Sequence, residues 1–157
     1  MGVVGLSRLA ARLLTMTEIE RRVAATQKTQ KRFEGRVFDW SKHATCIRLV
    51  RFHAAQMGHK LPIVPRFRSA LGAKRALKAE GVETLPELMD KYFPRIPAAQ
   101  MLTGDVMAVP SDTEGHEALF VYGQLRAVIG WHQDADDCQI IRLSGQGYGL
   151  CSGAWRL

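Results

Sequence analysis

The chain has 157 residues, 46% of them hydrophobic and 24% charged, enough for one domain with a modest core and close to the average of a soluble globular domain. That balance excludes a collagenous, low-complexity or wholly disordered chain, and no stretch approaches the roughly 18 apolar residues of a membrane-spanning helix. The formal charge of +7 points to an anionic partner such as nucleic acid, a membrane surface or a cell-wall polymer.

The net charge hides an asymmetry. Residues 1–99 hold 19 basic and 8 acidic side chains, or +11, whereas residues 100–157 hold 3 basic and 7 acidic, or −4. Three widely spaced cysteines, Cys46, Cys138 and Cys151, form neither a CxxC pair nor a disulfide framework, and their odd number predicts a free thiol. The opening Met1–Leu6 is interrupted by Arg8 and Arg12 and no small-residue cleavage site follows, so no export signal is expected. Met16 is a second candidate translation start.

In chain order, residues 6–33 read as helix. Leu6, Leu9, Ala10, Leu13 and Leu14 form an apolar stripe, Thr17 with Glu20 forms a capping box, and Gly35 ends the run. The basic outer face predicts an N-terminal helical arm over 1–35, followed by a single domain over 36–157. Ser41 is a good N-cap for a second helix over 42–57, with Gly58 as its stop. Pro62 and Pro65 keep the chain extended. Ser69 caps a third helix over 70–80, and Thr84 with Glu87 opens a short fourth over 85–92. After Pro97 the character changes to short runs of β-branched and aromatic residues at 106–109, 118–122, 127–131 and 139–143, separated by turn residues. Helices first and strands last, with no crossover helices, predict an α+β fold in which a helical half packs on a small antiparallel sheet. Gly145, Gly147 and Gly149 read as a flexible loop before a last strand.

Cys46 is the most informative position. It falls about one turn inside the helix predicted from Ser41, where unpaired backbone N–H groups and the positive end of the dipole favour a thiolate. A cysteine nucleophile also needs a base and a group that orients the base. His116 precedes the strand Glu117–Tyr122, and His132 follows Trp131 at the end of the next. The competing reading is a small core cysteine.

Several motifs resemble a small NlpC-related family, of papain-like cysteine peptidase type, found in tail-gene clusters of phages, prophages and gene transfer agents. They are Phe38-Asp39-Trp40, the run from Phe67 to Leu77, Gly104-Asp105-Val106, Gly115-His116-Glu117-Ala118-Leu119-Phe120-Val121 and the ending Ala154-Trp155-Arg156-Leu157. The similarity covers roughly residues 17–157. The resemblance implies an NlpC/papain-like α+β fold with Cys46 as nucleophile, His116 as base and His132 as the orienting group. It also implies a distal-tail or tail-tip component of a phage or phage-like particle, made in the bacterial cytoplasm and partnered by other tail-tip or hub proteins. The implied reaction is hydrolysis of an amide bond in peptidoglycan stem peptides. The run Ala44-Thr45-Cys46-Ile47-Arg48 departs from the family's residues around the nucleophile, which leaves a structural role open beside the enzymatic one.

The remaining candidates point elsewhere. His43 shares the cysteine helix but is poorly placed as a base, and His53 and His59 read as surface or capping residues. Asp134, Asp136 and Asp137 lack the pattern of a calcium loop. No cofactor or metal is expected. Arg66, Arg68, Lys74, Arg75 and Lys78 cluster around the third helix, and nucleic-acid binding through that patch is the alternative function.

Overall fold

The computed structural model describes residues 16–63, 66–111 and 117–157. The apolar stripe expected over 6–14, Pro65 and His116 lie outside these described residues. The fold is α+β, with five α-helices and a five-stranded, fully antiparallel sheet among the described residues. The helices are α1 (Glu18–Phe33), α2 (Cys46–Gln56), α3 (Ala70–Ala79), α4 (Leu85–Tyr92) and a single turn, α5 (Gly145–Gly149). The strands are β1 (Val106–Pro110), β2 (Glu117–Tyr122), β3 (Ala127–Trp131), β4 (Cys138–Arg142) and β5 (Gly153–Trp155), in the order β4-β3-β2-β1-β5. Among the described residues no helix is long and apolar enough to cross a membrane.

Alternation along the strands divides the apolar residues into two layers. Val106, Ala108, Leu119, Val121, Ile129, Trp131 and Trp155 face the helices and pack on Phe33, Leu49, Val50, Ala54, Leu85 and Met89. The in-between residues Met107, Phe120, Val128 and Ala154 face the other way, against Met101 and the segment around α5. The glycine-rich stretch expected as a loop therefore contains one helical turn, with Tyr148 packed on this second layer. Its Tyr148 hydroxyl meets that of Tyr122 at 2.7 Å.

Local sequence explains where the helices begin. Thr17 and Glu20 make the reciprocal capping box, Ser69 accepts from the Gly72 N–H, and Thr84 accepts from the Glu87 N–H. From residue 18 onward the N-terminal helix belongs to the core. It buries Arg22, Ala25, Thr26, Thr29 and Phe33, and it packs along α2.

A buried polar clasp fixes α1 and α2 to the sheet. Arg22 places Nη1 3.0 Å from Asp105 Oδ1 and 3.1 Å from the Thr103 carbonyl, and Nη2 donates to the Leu157 carbonyl. Asp105 is fully buried. Its Oδ2 accepts from the Leu102 N–H at 2.8 Å and its Oδ1 from the Leu157 N–H at 3.3 Å. Arg156 Nε lies 3.0 Å from Oδ2 but is misaligned for a hydrogen bond, so that contact is Coulombic. Beside the clasp, His53 is also fully buried, which corrects the expectation of a surface or capping residue. Its Nε2 donates to the Gly104 carbonyl at 2.9 Å, and its Nδ1 meets Thr29 Oγ1 at 2.9 Å. Gly104 makes this possible. Its φ is +94°, and a Cβ there would lie 3.2 Å from Met57 Cε.

Candidate active site

The site is built where α2 starts, and that start differs from the one expected. Ser41 does not cap the helix. The Asp39 carboxylate captures the Ser41 N–H at 2.8 Å, the Ser41 hydroxyl at 2.6 Å and the Lys42 N–H at 3.3 Å. Asp39 also pairs with Ala44 in a closed antiparallel bridge, and His43 turns the chain with φ +58°. This turn, of the kind Asp side chains favour, occupies residues 39–44. Thr45 takes over as N-cap and its hydroxyl accepts from the Arg48 N–H at 3.4 Å. Cys46 is thus the first residue of the helix rather than a residue one turn inside it.

Two effects compete at the sulfur. Burial pushes the Cys46 thiol above its ordinary range. Against this, the nearby backbone N–H groups of Leu119, Ile47 and Cys46 itself favour the thiolate. Two of those donors belong to the first turn of α2, where no intrahelical carbonyl competes for them. The third comes from β2. Burial wins, so the resting group is a thiol ringed by donors.

Cys46 opens onto a cavity of about 310 Å³ between α2, α3 and the ends of β2 and β3. Phe38, Trp40 and Trp131 form an aromatic wall, with Phe38 edge-on to Trp40 at 5.3 Å and to Trp131 at 5.7 Å between ring centroids. Trp131 is held by its Nε1–H, which donates to the Arg36 carbonyl at 2.8 Å. Trp40 in turn leans on Phe67 at 5.9 Å. Such edge-to-face chains are rigid and leave apolar faces for a ligand. Ala70, Ala73 and Leu77 of α3 close the far side.

His132 lines the same cavity as Cys46. It also borders a second cavity of about 270 Å³ on the opposite face of the sheet, beneath the segment around α5. The ring sits at this seam because Trp131 takes the helix-facing position at the end of β3. His132 is half-exposed, and its Nδ1 accepts from the Asp134 N–H at 3.2 Å. That bond leaves the proton of the neutral ring on Nε2. Glu117, the first residue of β2, adds a carboxylate to the cavity wall, and its Oε2 accepts from the Ser152 hydroxyl at 2.6 Å. Of the three residues expected in the site, Cys46 and His132 thus share one cavity, and His116 is outside the described residues. The aromatic wall and the Leu119 N–H were not expected. The Phe38-Asp39-Trp40 run was the signal for the wall, whereas a backbone donor from a strand leaves no mark in sequence.

Other candidate chemistry is structural. Cys138 is buried with its thiol pushed up to about 12, chiefly by burial, and Cys151 donates to the Gly153 carbonyl at 3.0 Å. Among the described residues no group of three His, Cys, Asp or Glu side chains is arranged to hold a metal ion.

No curated protein matches the chain. A family comparison does match, over residues 16–154, and this span contains the Asp39 turn, the Cys46 helix and the whole cavity wall. The chain belongs to the family described as the domain of unknown function DUF6950.

Proposed function

We propose that this protein is an NlpC-like cysteine hydrolase of a phage or phage-like particle, carried at the distal tail and cleaving amide bonds in peptidoglycan stem peptides. The observation that supports this reading is the setting of Cys46. It is the first residue of a capped helix, opens onto a peptide-sized cavity, and has three backbone N–H groups around its sulfur. These donors stabilise charge as it develops on sulfur and on the carbonyl oxygen under attack.

In this reading His116 takes the thiol proton and the sulfur attacks the carbonyl carbon. The imidazolium then gives that proton to the leaving amine as the C–N bond breaks. Water attacks the resulting thioester, giving up a proton to the imidazole, and the acid and free thiol are released. His132 acts as the positioning residue from the cavity edge.

The test is digestion of purified peptidoglycan with mass analysis of the released peptides. The reading expects cleavage by the wild type and none by Cys46→Ala or His116→Ala of unchanged circular dichroism. Undiminished cleavage by Cys46→Ala contradicts it.

A second reading, a tail-tip assembly protein without catalysis, is favoured by one observation, the burial that holds Cys46 as a thiol. It expects Cys46→Ala particles to remain infectious and intact peptidoglycan after prolonged incubation. The nucleic-acid reading keeps only the exposed side chains around α3, and it expects DNA affinity that falls steeply with salt.

A further inference from the structure

The Cys46 cavity joins an aromatic wall to a single carboxylate. Phe38, Trp40 and Trp131 all line it. The Trp40 and Trp131 rings stand at 89° and 86° to Phe38, with centroids 5.3 and 5.7 Å from it. Rings crossed at right angles make the corners of a box rather than a stack, and the negative face of each ring attracts a cation. The box is held in place, because Trp131 donates to the Arg36 carbonyl and Trp40 leans on Phe67.

The protein gives these three rings no cation of its own. It has 22 Lys and Arg residues, and Phe33, Phe52, Phe67, Tyr92 and Trp155 each lie under one of them, 5.0 to 5.8 Å from the ring centroid. Among the described residues no Lys or Arg lies over Phe38, Trp40 or Trp131, and none lines the cavity. The one carboxylate among the described lining residues is Glu117. Alternation along β2 turns it to the helix side of the sheet, with Leu119 and Val121. Its Oε2 accepts from the neutral Ser152 hydroxyl at 2.6 Å. Among the described residues it has no ion-pair partner. The cavity thus combines an uncompensated negative charge with aromatic rings that no protein cation covers.

We infer that the Cys46 cavity binds an alkylammonium group, seated against Phe38, Trp40 and Trp131 with its charge balanced by Glu117. The apolar Ala70, Ala73 and Leu77 of α3, which close the far side, accept the carbon chain that carries the amine. The inference deepens the hydrolase reading and rests on it: the substrate is a peptide with a free amine close to the amide that Cys46 attacks. The same box accepts an amino terminus or the amine of a side chain, and the test separates these two sources.

The experiment uses the full chain with Cys46→Ala to prevent turnover, and binding is read by NMR from the indole N–H signals of Trp40 and Trp131. Two pairs of probes are titrated. N-acetyl-lysine amide against N-acetyl-norleucine amide tests a side-chain amine, and alanine amide against N-acetyl-alanine amide tests an amino terminus. In at least one pair the charged member should bind about tenfold tighter, the combined effect of a cation–π contact and one close unit charge. A preference in either pair supports the inference and names the source of the amine. Glu117→Gln and Trp40→Leu should each cut the preference to about threefold. The amide spectrum shows whether each variant is folded, and Glu117→Gln, at the half-buried start of β2, keeps the test open if Trp40→Leu is not. Equal binding within both pairs overturns the inference. So does a preference that Glu117→Gln leaves unchanged, or no binding of any probe. Peptidoglycan cleavage by the wild type is scored separately. Ammonium-selective binding without cleavage contradicts the hydrolase reading alone, and cleavage without ammonium preference contradicts the inference alone.

Discussion

His53 gives the sharpest test of the folded core. The ring is fully buried, donates from Nε2 to the Gly104 carbonyl, and meets Thr29 at Nδ1. Burial is the main reason its pKa falls from 6.5 to about 4. The Gly104 hydrogen bond and Asp105 oppose the fall, and the Arg22 and His59 charges add to it. Because the folded value is depressed, the unfolded chain takes up a proton near pH 6.5 while the native ring stays neutral until about pH 4. Stability is therefore fully present above pH 6.5 and is lost as pH falls through that window. The slope is about 1.4 kcal/mol per pH unit where one proton separates the two states, and the full loss is about 3 kcal/mol. Urea unfolding of the wild type and His53→Gln at steps between pH 7.5 and 4 isolates the effect. The glutamine variant should be less stable at pH 7.5, and the two curves should converge by about 3 kcal/mol as pH falls. Parallel curves would refute the reasoning, because they would mean that the ring is protonated in the native state or in contact with water.

Three further outcomes follow from the same structure. Asp105→Asn leaves the buried Arg22 guanidinium with only the exposed Glu18 as a charge partner and should cost about 3–5 kcal/mol, read as a lower urea midpoint at constant slope. Gly130→Ala puts a Cβ 2.5 Å from Phe120 Cδ1 in the layer beneath the sheet and should cost about 1–3 kcal/mol; a neutral midpoint would show that Phe120 moves freely. Thr45→Ala removes the cap at the Cys46 end of α2 and should cost about 1 kcal/mol. Thr45→Ser should restore most of that stability, and a Ser variant no better than Ala would contradict the capping role.

Much of the fold was legible because local signals and burial agree. Ser69 and Thr84 start helices where they are expected, the Thr17–Glu20 capping box forms as read, and the short β-branched and aromatic runs after Pro97 became strands whose alternate residues fill two layers. The disagreements have physical causes. Ser41 looked like a cap, but the Asp39 carboxylate two residues earlier takes the Ser41 hydroxyl and N–H, the Ala44 N–H goes to the Asp39 carbonyl, and α2 is delayed to Cys46. His53 looked like a surface residue because its partners, Thr29 and the Gly104 carbonyl, are 24 and 51 residues away. The same holds for Arg22, one of the cations of the basic front half, which is spent inside the core on Asp105.

The central claim is that Cys46 attacks a peptide carbonyl, and acid-quench mass spectrometry tests it most directly. The wild type is mixed with a peptidoglycan stem peptide, quenched within its turnover time and mapped by proteolysis. The account predicts a thioester on the peptide that contains Cys46, with Cys138 and Cys151 unmodified, and no adduct in His116→Ala. Stem-peptide cleavage with no adduct at Cys46 would contradict it.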